Sequence, residues 1–360
     1  MRILDRYIWQ EILPPFGLGM GIFTAVLATL GPFRKVAEMV AGHNISPVAA
    51  FEFLALKVPY LVALTLPMSV LLACLLAFGR LSGDGELVAM MSSGMGFWRV
   101  LLPVLLFAGA MGGLSFADGA FLSPRAERAA EELRMRLLRG EVSAETENLV
   151  VPHFNRGRIE FLTFARRFEG GSGKMEGVVI IAFSGGRPRA VVVAEEAVWR
   201  KGRWYLRRGF KQTLDPKVSA AMRFDEQVAQ VEDPPQDLWR SRLEPEWLTL
   251  HELWEAARSL RRQGIPAGKF LVHFHLRFAI PLACVLFALV GATAAIRPQR
   301  TPPSLGAGMA VTIIFAYYLV LNFCTVIGQR GIIPPAVAAW APNLLTFIGA
   351  LLLLRRLYRR

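Results

Sequence analysis

Six stretches of this chain, each of 18 or more residues, contain no charged side chain: Ile12 to Phe33, Val58 to Gly79, Val100 to Ala117, Phe278 to Ile296, Thr301 to Gln329 and Gly331 to Leu354. At about 1.5 Å per helical residue each is long enough for a hydrocarbon core of about 30 Å, so all six are expected to be transmembrane helices. They fall three and three around a mixed middle segment. With 54% hydrophobic and 19% charged residues, the charge must lie outside the spans. Arg2 and Arg6 before the first span resemble the start of a signal peptide. Its 22 uncharged residues exceed an h-region of about 7–15, which predicts an uncleaved helix.

Lys and Arg in the short loops and at the ends set the orientation. Arg2, Arg6, Arg80, Arg99, Arg297, Arg300, Arg355, Arg356, Arg359 and Arg360 all fall on one side after six crossings, which makes that side cytoplasmic and both termini cytoplasmic. The segment from Asp118 to about Lys269 is then periplasmic or extracellular. The net charge of +13 is spread over ends, loops and middle instead of forming one stripe, which argues against nucleic-acid binding. Cys74, Cys284 and Cys324 all lie within expected spans, so the exported segment cannot depend on disulfides, and they read as small apolar fillers.

The middle segment changes character twice. Ser123 to about Glu145 is rich in helix formers, with Ser123 as expected N-cap and Pro124 in the first turn. From about 148 to 232, β-rich runs predict strands at Leu149–Phe154, Arg158–Phe164, Gly177–Phe183, Ala190–Trp199 and Trp204–Phe210, with turns at Gly185-Gly186 and Lys201-Gly202. Asp233-Pro234-Pro235 ends this region. Thr249 to Gln263 returns to a helical pattern with Leu250, Leu253, Trp254, Ala257 and Leu260 on one stripe. The expected fold is an α-helical membrane protein with six transmembrane helices, three and three, and an inserted all-β domain of jelly-roll or sandwich type. Its parts are residues 1–118, 119–269 and 270–360.

Four motifs are set aside. Gly170-Gly171-Ser172-Gly173-Lys174 lacks the leading glycine and the hydroxyl residue of a phosphate loop, where Phe168 and Met175 stand. His251-Glu252-Leu253-Trp254-Glu255 has Glu255 in place of the second histidine of a zinc-protease helix. His273 and His275 diverge on a helix. Glu195 and Glu196, adjacent on a strand, should face opposite sides. No metal site and no cofactor is expected, and nothing points to catalysis. No charge sits mid-span as an ion relay, so a pump of this kind needs its motor on another polypeptide.

Between the second and third spans, Gly79-Arg80-Leu81-Ser82-Gly83-Asp84-Gly85-Glu86-Leu87-Val88-Ala89-Met90-Met91-Ser92-Ser93-Gly94-Met95-Gly96 predicts a short amphipathic helix, capped by Asp84 or Ser82, with Leu87, Met90, Met91 and Gly94 on one face. It is either a plain connector, with Glu86 favouring the helix dipole, or a coupling helix for an ATPase. This block resembles the coupling-helix signature of the lipopolysaccharide-export permease family, the paired subunits LptF and LptG of an ABC transporter. Leu4-Asp5-Arg6-Tyr7-Ile8 resembles the family's opening, Leu276-Arg277-Phe278-Ala279-Ile280-Pro281-Leu282 the entry to its fourth helix, and Ala339-Trp340-Ala341-Pro342-Asn343 its last helix.

The resemblance implies a non-catalytic permease subunit that pairs with a similar subunit and extracts lipopolysaccharide from the outer leaflet of the inner membrane. A cytoplasmic ATP-binding dimer drives it, and periplasmic β-jelly-roll bridge proteins, LptC and LptA in kind, take the lipid. It also implies that Glu86, Leu87 and Met90 contact the ATPase, and that Arg34 and Lys35, with Arg277, attract lipid A phosphates. Ordinary interfacial anchoring is the alternative for Arg34 and Lys35. Helices one and five, with Gly17, Gly19, Gly21, Gly306 and Gly308, are the lateral gates in that family, and simple packing is the alternative here. Two other classes stay open: a mechanotransmission subunit that moves its exported domain without a substrate, and an envelope assembly factor.

Overall fold

The computed structural model describes the 360-residue chain apart from residues 1–2, 44–45, 138–144, 156–157, 170–172, 185–186, 201, 215–220, 230–243, 263–265, 297–302 and 359–360. The glycine turn at 185–186, Lys201 of the second turn, most of the 170–174 loop, the Asp233-Pro234-Pro235 stop and the basic residues Arg2, Arg297, Arg300, Arg359 and Arg360 lie outside the described residues. The rest forms two compact units, one of Met1–Leu133, Thr249–Trp254 and Gly268–Arg360, the other of Arg134–Leu248 and Glu255–Ala267.

The first unit is a helical bundle. Helix α1 (Ile3–Ala28) runs through a π-turn at Thr29–Phe33 into α2 (Arg34–His43). Then follow α3 (Pro47–Gly83), the short α4 (Glu86–Ser92) and α5 (Phe97–Ala117), which continues through a second π-turn at Asp118–Leu122 into α6 (Ser123–Leu137). After the strands come α7 (Leu250–Arg262), whose residues from Glu255 on belong to the second unit, and then α8 (Gly268–Ala294), α9 (Pro303–Gln329) and α10 (Pro335–Tyr358). Six of these stretches are long and apolar enough to cross a membrane, at the places the uncharged runs predict. Because the chain turns without breaking at Asp118–Leu122, Ser123 has helical dihedrals and is no N-cap. Its hydroxyl instead donates to Asp118, 2.9 Å away.

Helix α3 is the most enclosed, with an unbroken buried run from Thr65 to Leu75. Pro67 has no N–H to give the Ala63 carbonyl, which therefore needs another donor. The Ser115 hydroxyl of α5 donates to it at 3.3 Å, and Tyr318 of α9 donates to the neighbouring Leu64 carbonyl at 2.8 Å. Thr65 lies 3.2 Å from Thr24 of α1, so neighbours on three sides bond to one turn of α3. With no water in a bilayer core, such side-chain donors are how a proline inside a span is tolerated.

In the second unit six strands form one antiparallel meander in chain order: β1 (Glu145–Asn155), β2 (Arg158–Glu169), β3 (Lys174–Ser184), β4 (Arg187–Arg200), β5 (Arg203–Thr213) and β6 (Ala221–Val228). Five match the expected runs and β6 is additional. Pairing is interrupted along one row that crosses every strand, at Asn148, Arg166, Gly177, Glu195, Arg208 and Asp225. In this row Gly177 has φ +62° and Arg208 φ +50°. Buried positions change parity there: Ala165 then Phe168, Met175 then Val178, Ala194 then Ala197, Leu206 then Gly209. A regular strand would send such residues to opposite faces. The row acts as a crease that returns them to one side, and residues from both halves join a single core around Phe168, Val178, Trp204 and Leu206. Among the described residues the expected all-β insert is thus one creased sheet, without a crossover between sheets.

The crease also corrects the expectation for Glu195 and Glu196. Both reach the guanidinium of Arg208, at 3.0 and 3.3 Å, because Glu195 lies on the crease and is not held to strict alternation. Beside it Arg167, Glu176, Glu196, Arg207 and Glu226 stand in register across β2 to β6. These exposed pairs add specificity of register more than stability.

Candidate functional site

The sequence-predicted residues fall at two ends of the bundle. At one end α4 is joined to α3 through Asp84 and Gly85, and to α5 through Ser93 and Gly94. The residue before α4 is Gly85, which offers no side-chain cap, so neither Asp84 nor Ser82 fills that place. Asp84 instead lies 3.9 Å from Arg80. Leu87 is 1% exposed and belongs to the bundle core, and Met90 is half-buried against it. Val88 and Met91 point outward, 60% and 40% exposed. The half-buried Glu86 accepts a hydrogen bond from the Tyr7 hydroxyl at 2.5 Å. Two more links join α1 to this end: Arg80 to Glu11 at 2.8 Å and Arg99 to Asp5 at 2.9 Å. Asp5 and Tyr7 stand in the block that resembles the family's opening, but no local pattern marks them, or Glu11, as links to α3, α4 and α5. Only the charged residues just outside the uncharged runs hinted at them.

At the other end Arg34 and Lys35 open α2, both exposed, while Val36 and Met39 of the same helix are buried. Arg277 takes a different place. It is half-buried, donates from Nη1 to the Gly119 carbonyl in the π-turn after α5, and faces Asp118. The structure therefore holds Arg277 to α5, whereas Arg34 and Lys35 project from the surface. A buried ion pair that the sequence did not advertise lies at this end too: Lys57 of α3 with Glu127 of α6, with the Phe53 ring 5.5 Å from the ammonium. Of the glycines in α1 and α9, Gly19 packs closely on Ser69 and Leu72, whereas Gly17, Gly21 and Gly308 face open space.

The motif at His251–Glu255 has a structural explanation. Glu252 accepts from the amide and the hydroxyl of Thr249, both at 2.8 Å, closing the first turn of α7, and it pairs with Arg128 of α6. Burial works against its ionisation, but the Thr249 amide and hydroxyl and the Arg128 guanidinium outweigh it and hold the carboxyl below the ordinary glutamate range. Such a depressed group contributes stability that is complete above its unfolded value of about 4.3 and is lost as pH falls through the lower folded value. Thermal unfolding from pH 7 to pH 3 should therefore show a loss below about pH 4 that is smaller in Glu252→Gln than in the parent chain.

The family model described as "Lipopolysaccharide export system permease LptF/LptG" matches residues 6–356. The chain is similar to the lipopolysaccharide export system permease protein LptG of Escherichia coli strain K12, with 25% identity over 376 residues that cover 98% of each chain. It is similar also to the LptG protein of Haemophilus influenzae, with 23% identity over 371 residues and 99% of each chain covered.

Proposed function

Because the chain belongs to the LptF/LptG family of lipopolysaccharide export system permeases, we propose that it is one permease subunit of an ABC transporter that draws lipopolysaccharide from the outer leaflet of the bacterial inner membrane. A separate ATP-binding dimer supplies the work, and the chain performs no chemistry of its own. The observation that carries this reading is α4. It is a seven-residue helix between two spans, fixed inward by Leu87 and Met90, that leaves Val88 and Met91 as an outward apolar face for a partner. Glu86, Leu87 and Met90 set its position and the outward face meets the ATPase.

In this reading the α4 end is cytoplasmic, in keeping with Arg80 and Arg99 on either side of α4, and the β unit is periplasmic. Arg34 and Lys35 then stand at the outer boundary, where guanidinium and ammonium groups attract lipid A phosphates. Arg277 supports the site by holding the end of α5. A second subunit of the same family pairs with this one. The meander has two edge strands, β1 and β6, and edges of this kind accept a further strand from a β-jelly-roll bridge protein.

A photo-reactive amino acid at position 34, in membranes that contain lipopolysaccharide and the co-expressed ATPase, tests the proposal. The expected result is a lipopolysaccharide adduct whose yield changes when the ATPase is made catalytically dead. A complex that retains its ATPase but yields no lipid adduct would replace the permease reading with a force-transmitting subunit.

A further inference from the structure

The charged links of helix α1 to its neighbours lie at one end. Of its 26 residues only Ile8, Ile12 and Gly19 are buried, and its later part exposes Ile22 and Val26, followed by Leu30 and Phe33 in the π-turn. Its ion pairs and its link to α4 lie within its first turns, Asp5 to Arg99, Tyr7 to Glu86 and Glu11 to Arg80, while farther along Thr24 stands 3.2 Å from Thr65 of α3. Tyr7 and Glu11 are one turn apart and share a face beside Ile8 and Ile12. Arg80 belongs to the last turn of α3 and Arg99 to the start of α5, so those two links join α1 to long helices. The Tyr7 link lands on α4.

Helix α4 is built to tilt as one piece. Gly85 before it has φ +77° and Gly94 after it φ +86°, so both joints use backbone that side-chain-bearing residues rarely adopt. Between them the helix is held inward by Leu87 and Met90 and, at its first residue, by Glu86. A hydrogen bond of 2.5 Å from a phenol to a carboxylate is short and charge-assisted, and it cannot lengthen by an ångström and survive. A tilt of α4 must therefore either break this bond or carry the first turns of α1 with it.

We propose that Tyr7 is a positioning residue that passes motion of α4 to α1, so that work delivered at the cytoplasmic face swings the far half of α1, which exposes Ile22 and Val26. The proposal rests on the reading of α4 as the ATPase contact. The residue acts through Glu86 and touches neither nucleotide nor lipid.

The test uses the whole complex, this chain with its paired subunit and ATPase in lipid nanodiscs, comparing the parent, Tyr7→Phe and Glu11→Gln. Nitroxide labels at the exposed positions Val26 and Leu114 report the distance between the far half of α1 and α5, with and without ATP. Released lipopolysaccharide per ATP hydrolysed is measured on the same samples. Tyr7→Phe is expected to abolish the ATP-driven distance change and to lower lipid released per ATP about five-fold, the loss corresponding to one hydrogen bond. Glu11→Gln, which loosens the same turn without touching α4, should leave both within about two-fold of the parent. A distance change that persists in Tyr7→Phe, that is lost equally in Glu11→Gln, or that is missing from the parent overturns the proposal. If the parent releases no lipid but its distance change depends on the Tyr7 hydroxyl, the transmission role stands and the permease reading falls.

Discussion

Lys57→Met is expected to destabilise the helical bundle by about 3–5 kcal/mol, while the double variant Lys57→Met, Glu127→Leu recovers most of that loss. Lys57 is 8% exposed and Glu127 4%, and they face each other from α3 and α6. Two charges taken out of water interact strongly, but most of the attraction offsets the cost of desolvating them. Removing only the lysine leaves a buried carboxylate with neither water nor cation. Replacing both by apolar groups of similar volume removes the cost together with the attraction. The Phe53 ring adds a cation–π contact to the lysine that the double variant also loses, so recovery should stop short of complete. Unfolding midpoints of parent, both single variants and the double, in one detergent, make the cycle. Equal midpoints for single and double variants would mean that the pair does not hold α6 to α3.

This pair also shows why some of the bundle was hidden in the sequence. A search for uncharged runs starts the second span at Val58, yet α3 begins at Pro47, eleven residues earlier, because the charge of Lys57 is matched by a residue 70 positions away. The first span likewise begins at Ile3 instead of Ile12, since Asp5 and Glu11 meet arginines of α5 and α3. Charge ends a span in a sequence, whereas in the fold a paired charge does not. The strands were easier. Five runs of β-branched and aromatic residues became β1 to β5, extended by a few residues each. Strand β6, AMRFDEQV, escaped because an edge strand with hardly a buried position need not alternate. The outline of α4 was legible from its apolar spacing. That Leu87 faces the core while Val88 and Met91 face outward, and that Glu86 bonds to Tyr7, depends on contacts across the bundle that no local pattern encodes.

Gly209→Ala is the second large effect, expected to cost the β unit about 3 kcal/mol, at the upper end for a single added methyl group. A Cβ at this position would lie 2.3 Å from the Val193 carbonyl oxygen on β4 and 2.5 Å from the Phe224 ring on β6. The ring is the more yielding of the two. The carbonyl belongs to the ladder, where Val193 stands opposite Phe210, and it cannot retreat without opening the pairing of β4 with β5. Gly209 also borders the crease, next to Arg208 with its positive φ, so relief by a backbone shift would move the point at which burial changes sides. Ala194 and Phe224, its neighbours across the sheet, would then leave the core they share with Trp204 and Leu206. Hydrogen exchange on the full chain should show faster exchange throughout β4 to β6 in Gly209→Ala, with the amides of α3 and α8 unchanged. Gly17→Ala, whose added methyl meets nothing within 4 Å, is the matched control and should leave both units as they were. Unchanged exchange in β4 to β6 would mean that the crease is compliant enough to absorb a side chain, and that its position is not what encloses the core of this unit.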